Sequence, residues 1–173
     1  MYCQEKRDLL DKSSDFFQKS IASKEAFDGN FDGCKLIGED LTNAYFPYGN
    51  FCRGNLRYVK LQNAVLNNTQ FDFSDLSLAN LQGASFYFAS LIKTNLRHAN
   101  LANANLRYAN LAGADLSGAI LAKTDLYGAN LDGANFSGAI LDRTNFCQAR
   151  NANFKSAYMD PLSIDINGLP CLR

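Results

Sequence analysis

Three kinds of side chain in this sequence could do chemistry: one histidine, 17 carboxylates and five cysteines. A histidine or a pair of carboxylates can act as general acid and base, but each needs a partner within hydrogen-bonding reach. His98 has no such partner in the sequence pattern, and the carboxylates are scattered rather than clustered as in calcium loops. No phosphate-binding loop, zinc-protease, serine-hydrolase or dinucleotide-binding motif is present. We therefore predict that the protein is not an enzyme and has no catalytic residue, cofactor or metal site.

The cysteines are Cys3, Cys34, Cys52, Cys147 and Cys171. They form no CxxC pair and their number is odd, which argues against a zinc site or a complete disulfide framework. Cys147 and Cys171 could meet near the C-terminal end, which would suit an oxidising compartment, whereas reduced thiols are usual in the cytoplasm. The N-terminal segment up to Glu25 carries charges throughout and contains no apolar core of a secretory signal. We expect a cytoplasmic protein unless a signal sequence has been removed.

Charge and composition exclude several classes of protein. The 17 Lys and Arg residues balance the 17 Asp and Glu residues, so the chain lacks the excess of positive charge that phosphate neutralisation needs. With 47% hydrophobic residues the chain is too apolar for intrinsic disorder. No apolar run approaches the ~18 residues that cross a bilayer. We expect no direct binding to nucleic acid and no insertion into a membrane.

A five-residue repeat organises most of the chain. Every fifth residue from Phe31 to Phe146 is Leu or Phe, 24 times in succession, and we call this position i. Position i−2 is Ala in 13 of the 24 repeats, and position i−1 is Asn or Asp in 15. A helix would spread residues five apart around its circumference, and a flat strand would alternate them between its two faces. The chain must therefore turn at every repeat, which predicts a stacked solenoid with i and i−2 inside. Asn and Gly at fixed phase fit such tight turns, and Asn or Asp at i−1 is explained as bonding nearby backbone.

The repeat resembles the A(D/N)LXX signature of the pentapeptide-repeat proteins, as in residues 104–108 (ANLRY) and 114–118 (ADLSG). The resemblance covers roughly residues 29–148. It implies an all-β solenoid, a right-handed quadrilateral β-helix with four repeats in each coil and about six coils. The domain organisation that we predict is an N-terminal capping α-helix with its connecting segment over residues 1–28, the β-helix over 29–160, and a C-terminal tail over 161–173.

Both ends of the solenoid need a cover. Apolar residues at helical spacing within residues 3–20, among them Leu9, Phe16 and Phe17, predict an amphipathic helix that covers the first coil. A membrane-surface helix is the alternative, but the charges of this segment are mixed rather than basic. At the other end the repeat register slips near residues 150–153, and the prolines of the tail argue against a regular capping helix.

The resemblance also implies a role for the C-terminal end, because family members without a C-terminal cap often pair end to end. We expect a monomer or an end-to-end homodimer, with Phe154, Tyr158 and Met159 as the candidate contact residues.

Outward positions carry the candidate site. With four repeats in each coil, residues 20 apart stack in columns, and large side chains gather in neighbouring outward columns. The candidate partner-binding residues are Tyr45, Tyr48, Phe73, Tyr87, Phe88, Ile92, Arg107, Tyr108 and Tyr127. Aromatic residues and Arg are enriched at the centres of protein interfaces. The alternative is that stacked tyrosines only brace neighbouring coils. We interpret the protein as a non-catalytic scaffold for an unidentified partner protein.

A second function follows from the family alone. Some pentapeptide-repeat proteins resemble B-form DNA, bind DNA gyrase and protect it from quinolones. This sequence departs from that pattern, because its net charge is zero and its outward positions include Arg57, Arg97, Lys93 and Lys123. It also lacks the loop insertions of the quinolone-resistance members. A DNA-mimicking gyrase-binding protein is therefore the alternative function.

Overall fold

The structure is a computed structural model that describes residues 21–151 and Phe154. The expected capping helix over residues 3–20 lies outside this part, as do Tyr158, Met159 and the tail over residues 161–173. Within the described part, no helix has the length and apolar character needed to cross a bilayer.

One short helix, α1, spans residues 21–23, and single-residue β-bridges then recur at every fifth residue from Glu25 to Arg150. Each bridge residue pairs in parallel with the residue 20 positions later, as Asn30 does with Asn50. Four five-residue repeats therefore make one coil, and the quadrilateral β-helix expected from the sequence is confirmed. Each coil has four short faces centred on position i−1, joined by four corners at positions i+1 and i+2.

The backbone hydrogen bonds repeat with the same period. The N–H of position i donates to the next coil, as Leu101 does to Ile120, and the N–H of i+2 does the same, as Asn103 does to Ala122. The N–H of i−1 donates to the previous coil, and the N–H of i−2 closes the turn by donating to position i of the preceding repeat, as Ala104 does to Leu101. Four of the five N–H groups in a repeat therefore have backbone acceptors, and only that of i+1 needs another partner.

Asn and Asp at i−1 supply that partner. The side-chain Oδ1 of Asn100 accepts the N–H of Ala102 at 3.1 Å, and Asn145 accepts that of Cys147 at 3.0 Å. The expected bonding of these side chains to nearby backbone is thus confirmed. Tyr45 occupies i−1 without such an acceptor, and it is followed at i+1 by Pro47, which has no N–H to satisfy.

The tight turn is built at position i+2 rather than at i−1. Asn at i−1 occupies the bridge on each face, whereas the left-handed backbone falls at i+2, where every residue from Gly33 to Gln148 has positive φ. Several of them are large, including Phe73 at 60° and Leu78 at 61°. Such a conformation is costly for L-residues, and the ladder of coils imposes it here.

The core is a column of inward side chains. Every Leu or Phe at position i is buried, and so is every residue at i−2 of the same repeats except Glu39. Phe31, Phe51 and Phe71 stack through three coils with ring centroids 4.6 and 4.9 Å apart. Where Thr replaces Ala at i−2, its hydroxyl is bonded, as Thr124 Oγ1 donates to a backbone carbonyl of the previous coil at 2.7 Å. Burial of one large and one small residue in each repeat fills the interior without polar cost.

Candidate functional site

Aromatic rings cluster at one corner of the β-helix. We define the aromatic corner as Tyr87, Phe88, Arg107, Tyr108 and Tyr127, which occupy the i+1 and i+2 positions of three successive coils. Phe88 and Tyr108 stack with centroids 5.0 Å apart and planes 13° apart, and Tyr87 meets Phe88 edge to face at 4.5 Å. Tyr127 continues the row, 5.5 Å from Tyr108. These rings form one contiguous surface, of which Phe88 is 52% and Tyr108 38% exposed.

Arg107 lies among these rings. Its guanidinium carbon lies 4.8 Å from the centre of the Tyr127 ring and 5.9 Å from that of Tyr108. Its Nη1 donates to Asp125 at 3.3 Å. Burial alone would lower the pKa of Arg107, but the charge and hydrogen bond of Asp125 outweigh it and the pKa is raised. The aromatic corner therefore carries a permanent positive charge between two ring faces.

The backbone under the rings is held by side chains of neighbouring repeats. The N–H of Tyr87 donates to Asn67 Oδ1 one coil earlier at 3.2 Å, and that oxygen also accepts the Ser85 hydroxyl at 2.6 Å. The N–H of Tyr127 donates to Asp125 Oδ1 at 3.0 Å. The backbone of the aromatic corner is thus held in place by side-chain acceptors.

A groove of about 460 Å³ runs beside the aromatic corner. Phe88, Tyr108 and Gly128 form its apolar side, and the bridge residues Asn110 and Asn130 belong to the adjacent face. A Cβ in place of the Gly128 hydrogen would lie 2.7 Å from the Tyr108 ring, so an alanine here would have to displace that ring. The groove can accept one or two apolar side chains with polar groups next to them.

Charged residues complete the lining of this groove. Asp132 and Arg150, which carry opposite charges, both border it. A partner that places a polar or charged group beside its apolar side chain would therefore find a complementary group on this surface.

The structure separates two of the predicted residues from this cluster. Tyr48 is half exposed and packs with Phe27, with ring centroids 5.2 Å apart. One coil, with Asn67 and Asn68 at the same corner, lies between Tyr48 and the aromatic corner. Tyr45 stands at the centre of a face, where it is 48% exposed.

Two other predicted residues lie at the next corner along the chain. Phe73 is 53% exposed, and the Lys93 Nζ lies 5.8 Å from its ring centre. Ile92 is half-buried, and its N–H donates to Asp72 at 3.0 Å. The ring contacts among residues 21–151 connect neither residue with the aromatic corner.

Sequence reasoning missed two exposed aromatic residues. Phe27 is 69% exposed and precedes Phe31, the first Leu or Phe of the repeat. The bridge between Glu25 and Tyr45 shows that the β-helix begins one repeat earlier, with Ala26 at position i. Extending the five-residue frame one step back would have placed Phe27 outside. Tyr58, 50% exposed, occupies a column without other aromatic residues.

The predicted C-terminal contact residue Phe154 packs within its own chain. Its ring lies 4.5 Å from that of Phe146 and 5.4 Å from that of Phe136. Phe154 therefore covers part of the apolar interior at this end of the described β-helix.

Carboxylates on the outer surface are paired with cations of neighbouring coils. The ion pairs of this kind include Arg97 with Asp115 at 3.2 Å, Lys24 with Asp40 at 3.3 Å, and Arg53 with Asp32. In the described part of the chain, no group of three or more His, Cys, Asp and Glu residues is arranged to hold a metal ion.

The β-helix has square coils and turns at every fifth residue, and each repeat contributes one small and one large inward side chain. These features define a class of solenoid. A family profile described as Pentapeptide repeats, with eight copies, matches residues 50–83, 84–121, 109–148 and 124–160. The chain belongs to the pentapeptide-repeat family.

Solved structures of the same family resemble the chain. HetL from the cyanobacterium Nostoc sp. strain PCC 7120, involved in heterocyst differentiation regulation, is 24% identical over 80% of this chain and 83% of that chain, with a TM-score of 0.46. Rfr23 from the cyanobacterium Cyanothece 51142 is 28% identical over 83% of this chain and 96% of that chain, with a TM-score of 0.47. QnrB1, a plasmid-mediated fluoroquinolone resistance protein, is 18% identical over 82% of both chains, with a TM-score of 0.46. No curated protein sequence matches the chain.

Proposed function

We propose that the protein is a non-catalytic scaffold whose β-helix presents the aromatic corner to a partner protein. The observation that supports this proposal is the contiguous, partly exposed set of four rings around Arg107. Aromatic residues and Arg supply most of the binding energy at protein interfaces, where they become covered. Repeat proteins commonly bind partners through the extended outer surface that such stacking creates.

The rings are not required to hold the coils together. At a neighbouring corner the equivalent positions are occupied by Asn63, Gly83 and Asn103, and the same backbone bonds connect those coils. Since the ladder forms without aromatic residues there, bracing alone does not account for four large rings at the aromatic corner. Exposed apolar rings gain free energy only when something covers them.

The chemistry of the site indicates what the partner presents. An apolar side chain would fill the groove against Phe88 and Tyr108, and a carboxylate next to it would face Arg150. An Arg guanidinium suits such a carboxylate, because its planar fork of donors matches the two oxygens.

The alternative function, a DNA mimic that binds gyrase, needs rows of unneutralised carboxylates. Asp32, Asp40, Asp115 and Asp125 are each paired across coils with Arg or Lys. These ion pairs do not favour the alternative.

The test compares tagged full-length protein with two variants in affinity capture from cells that produce it. Phe88→Asp places a charge in the aromatic corner, and Tyr58→Asp is the matched control, because both residues occupy i+2, have positive φ and are about half exposed. Asp tolerates the left-handed conformation at least as well as an aromatic residue, so both variants should fold. We expect the partner with the unchanged protein and with Tyr58→Asp, and not with Phe88→Asp.

Equal recovery of the partner by Phe88→Asp would contradict the assigned site. A gyrase subunit as the captured partner, together with inhibition of DNA supercoiling by the added protein, would instead establish the alternative function.

A further inference from the structure

Basic side chains of the central coils concentrate on one face of the β-helix. Residues 48–107 make up three coils and contain six Lys and Arg residues but only two carboxylates. Four of those cations and one of the carboxylates belong to a single face, which we define as the basic face and which comprises residues 53–57, 73–77 and 93–97. The balanced charge of the whole chain therefore conceals a local excess of positive charge.

The basic face is layered along the axis of the rod. Arg53 and Arg57 flank it in one coil, and Lys93 and Arg97 occupy the same two positions two coils later. Between these pairs of cations lies the coil of Phe73, whose side chain is 53% exposed. At ~4.8 Å for each coil, the two cationic layers are ~10 Å apart along the axis. An exposed aromatic ring thus stands between two layers of positive charge.

Phe73 is a costly residue at its position. Its backbone has a φ of 60°, a left-handed conformation that a bulky side chain opposes, whereas Gly113 occupies the same position two coils later. Lys93 Nζ lies 5.8 Å from the ring centre, and the ring is still half exposed. A large apolar ring that is both strained and exposed gains free energy when a partner covers it.

Asp75 is the one carboxylate within the basic face, and hydrogen bonds already engage it. Its Oδ1 accepts the N–H of Ser77 at 2.9 Å and the side-chain amide of Asn95 at 3.0 Å. Arg57 Nε lies 3.9 Å from Asp75 Oδ2. Asp75 therefore offsets part of the charge of Arg57 and leaves both Nη groups of that guanidinium for another acceptor.

The other two arginines differ in how far they are engaged. Arg53 pairs with Asp32 of the previous coil through Nε and Nη2. Arg97 contacts Asp115 of the next coil through Nη1 alone, at 3.2 Å. The side chains of Arg57 and Arg97 are 45% and 52% exposed. Within the described β-helix these two guanidiniums thus retain outward donors that suit the two oxygens of a carboxylate.

We propose that the basic face binds an acidic amphipathic helix of a partner protein, which lies along the rod. Carboxylates of the helix meet Arg57 on one side of Phe73 and Lys93 and Arg97 on the other, and an apolar side chain between them covers the ring. Helix residues seven positions apart are separated by ~10.5 Å, which matches the ~10 Å between the cationic layers. Side chains on one face of an extended strand repeat at ~6.8 Å and do not match this spacing.

The basic face is separate from the aromatic corner. The two surfaces are joined by the face that contains Gln70, Ser90 and Asn110, so they point in different directions. The inference therefore does not depend on the function proposed for the aromatic corner.

The test measures binding of fluorescein-labelled peptides to the full-length protein by fluorescence anisotropy. The probe is an alanine-based helix with two Glu residues seven positions apart and two Leu residues midway between them, and the control probe has Lys in place of Glu. We expect binding of the acidic probe only, with a dissociation constant that rises about tenfold between ~50 mM and ~500 mM NaCl. No binding of the acidic probe at ~1 mM protein, or equal binding of both probes, would overturn the proposal.

Two pairs of matched variants locate the site. Phe73→Asp and Phe88→Asp make the same change at the same repeat position, where φ is 60° and 56° and the side chains are 53% and 52% exposed. Lys93→Glu and Lys123→Glu reverse the same charge at exposed i+2 positions. We expect Phe73→Asp and Lys93→Glu to weaken binding of the acidic probe about tenfold, and their partners in each pair to leave it within about twofold. Equal effects within each pair would overturn the assigned face, whereas the result for the aromatic corner would stand.

A single-stranded nucleic acid is the competing occupant, because its bases also stack on aromatic rings beside cations. An oligothymidylate of ~12 nucleotides is therefore measured in the same way. Tighter binding of this oligonucleotide than of the acidic probe, lost in Phe73→Asp and Lys93→Glu, would overturn the proposal in favour of nucleic acid.

Discussion

At the scale of single residues, the left-handed backbone at i+2 decides which side chains can reach the next coil. The ring of Tyr108 lies over Gly128, and the imidazole of His98 lies over Gly118. A glycine in one coil thus provides space for a large side chain in the previous coil. At Gly138, which has the same repeat position, the nearest atom would lie 4.0 Å from a Cβ, so this glycine serves the backbone alone.

Gly128→Ala and Gly138→Ala should therefore differ in their effect on stability. Both place a Cβ on a left-handed backbone, with φ of 67° and 68°, which costs about 1 kcal/mol. Gly128→Ala must also displace the Tyr108 ring, which adds roughly 1–3 kcal/mol of overpacking. Urea denaturation measures both free energies of unfolding, and near-ultraviolet circular dichroism reports the tyrosine packing. Equal losses of stability, with unchanged tyrosine signals, would show that the ring does not depend on Gly128.

At the scale of the repeat, Asn and Asp at i−1 connect the turn to the neighbouring coil. Asp115 Oδ1 accepts the N–H of Ser117 at 3.0 Å and the Asn135 side chain at 3.1 Å. Burial would raise the pKa of Asp115, but the hydrogen bonds from Ser117 and the Arg97 guanidinium outweigh it, so the pKa is lowered. For the more exposed Asp40, the bonds from Thr42 and the nearby Lys24 lower the pKa to about 2.

Asp115→Asn should reduce the sensitivity of the fold to acid. A carboxylate with a lowered folded pKa stabilises the protein above its unfolded pKa of ~3.9, and this stability is lost as the pH falls through the folded pKa. Asn keeps the acceptor for Ser117 but not the charge. The substitution should therefore lower the free energy of unfolding by less than ~1 kcal/mol at pH 7, and the variant should lose less stability on acidification than the unchanged protein. Melting temperatures between pH 7 and pH 2 measure this difference. Asp142→Asn is the control, because the Asp142 carboxylate lies 3.8 Å from the adjacent Arg143. An acid response of Asp115→Asn equal to that of the unchanged protein would contradict the expectation.

The sequence predicts the inside of this protein better than its turns and its site. Leu and Phe at i can be recognised because burial requires them, and Pro47 after Tyr45 is consistent with the hydrogen-bond pattern once that pattern is known. The left-handed backbone of Phe73 and Leu78 cannot be predicted, because the local preference of such residues opposes it and the stacked coils override that preference. The contacts of the aromatic corner depend on side-chain rotamers, which the columns of the sequence do not specify.

At the scale of the whole molecule, stability is distributed along one dimension. Each coil bonds to the coil before it and the coil after it, so the terminal coils have fewer partners than the central ones. The aromatic corner, from Tyr87 to Tyr127, lies in central coils that are bridged to a coil on each side, as Ser85 is to Val65 and Asp125 is to Asn145.

Amide hydrogen exchange should show a gradient along the β-helix. We expect the slowest exchange at Leu91, Leu106 and Leu111, which are buried in central coils, and faster exchange toward Phe31 and Leu141. Exchange measured by mass spectrometry on the full-length protein gives this gradient. Uniform protection from end to end would indicate that the coils unfold as one unit.

The four-repeat register also constrains how such a gene can change its length. Duplication or loss of a whole coil would lengthen or shorten the rod and return every later column to its own side. Gain or loss of a single five-residue repeat would rotate everything downstream by a quarter turn, so that Tyr108 would no longer stand above Phe88. Two surface patches on this rod therefore keep a common direction only when the number of repeats between them changes in multiples of four. Insertions and deletions within the rod should consequently be tolerated in whole coils and selected against in single repeats.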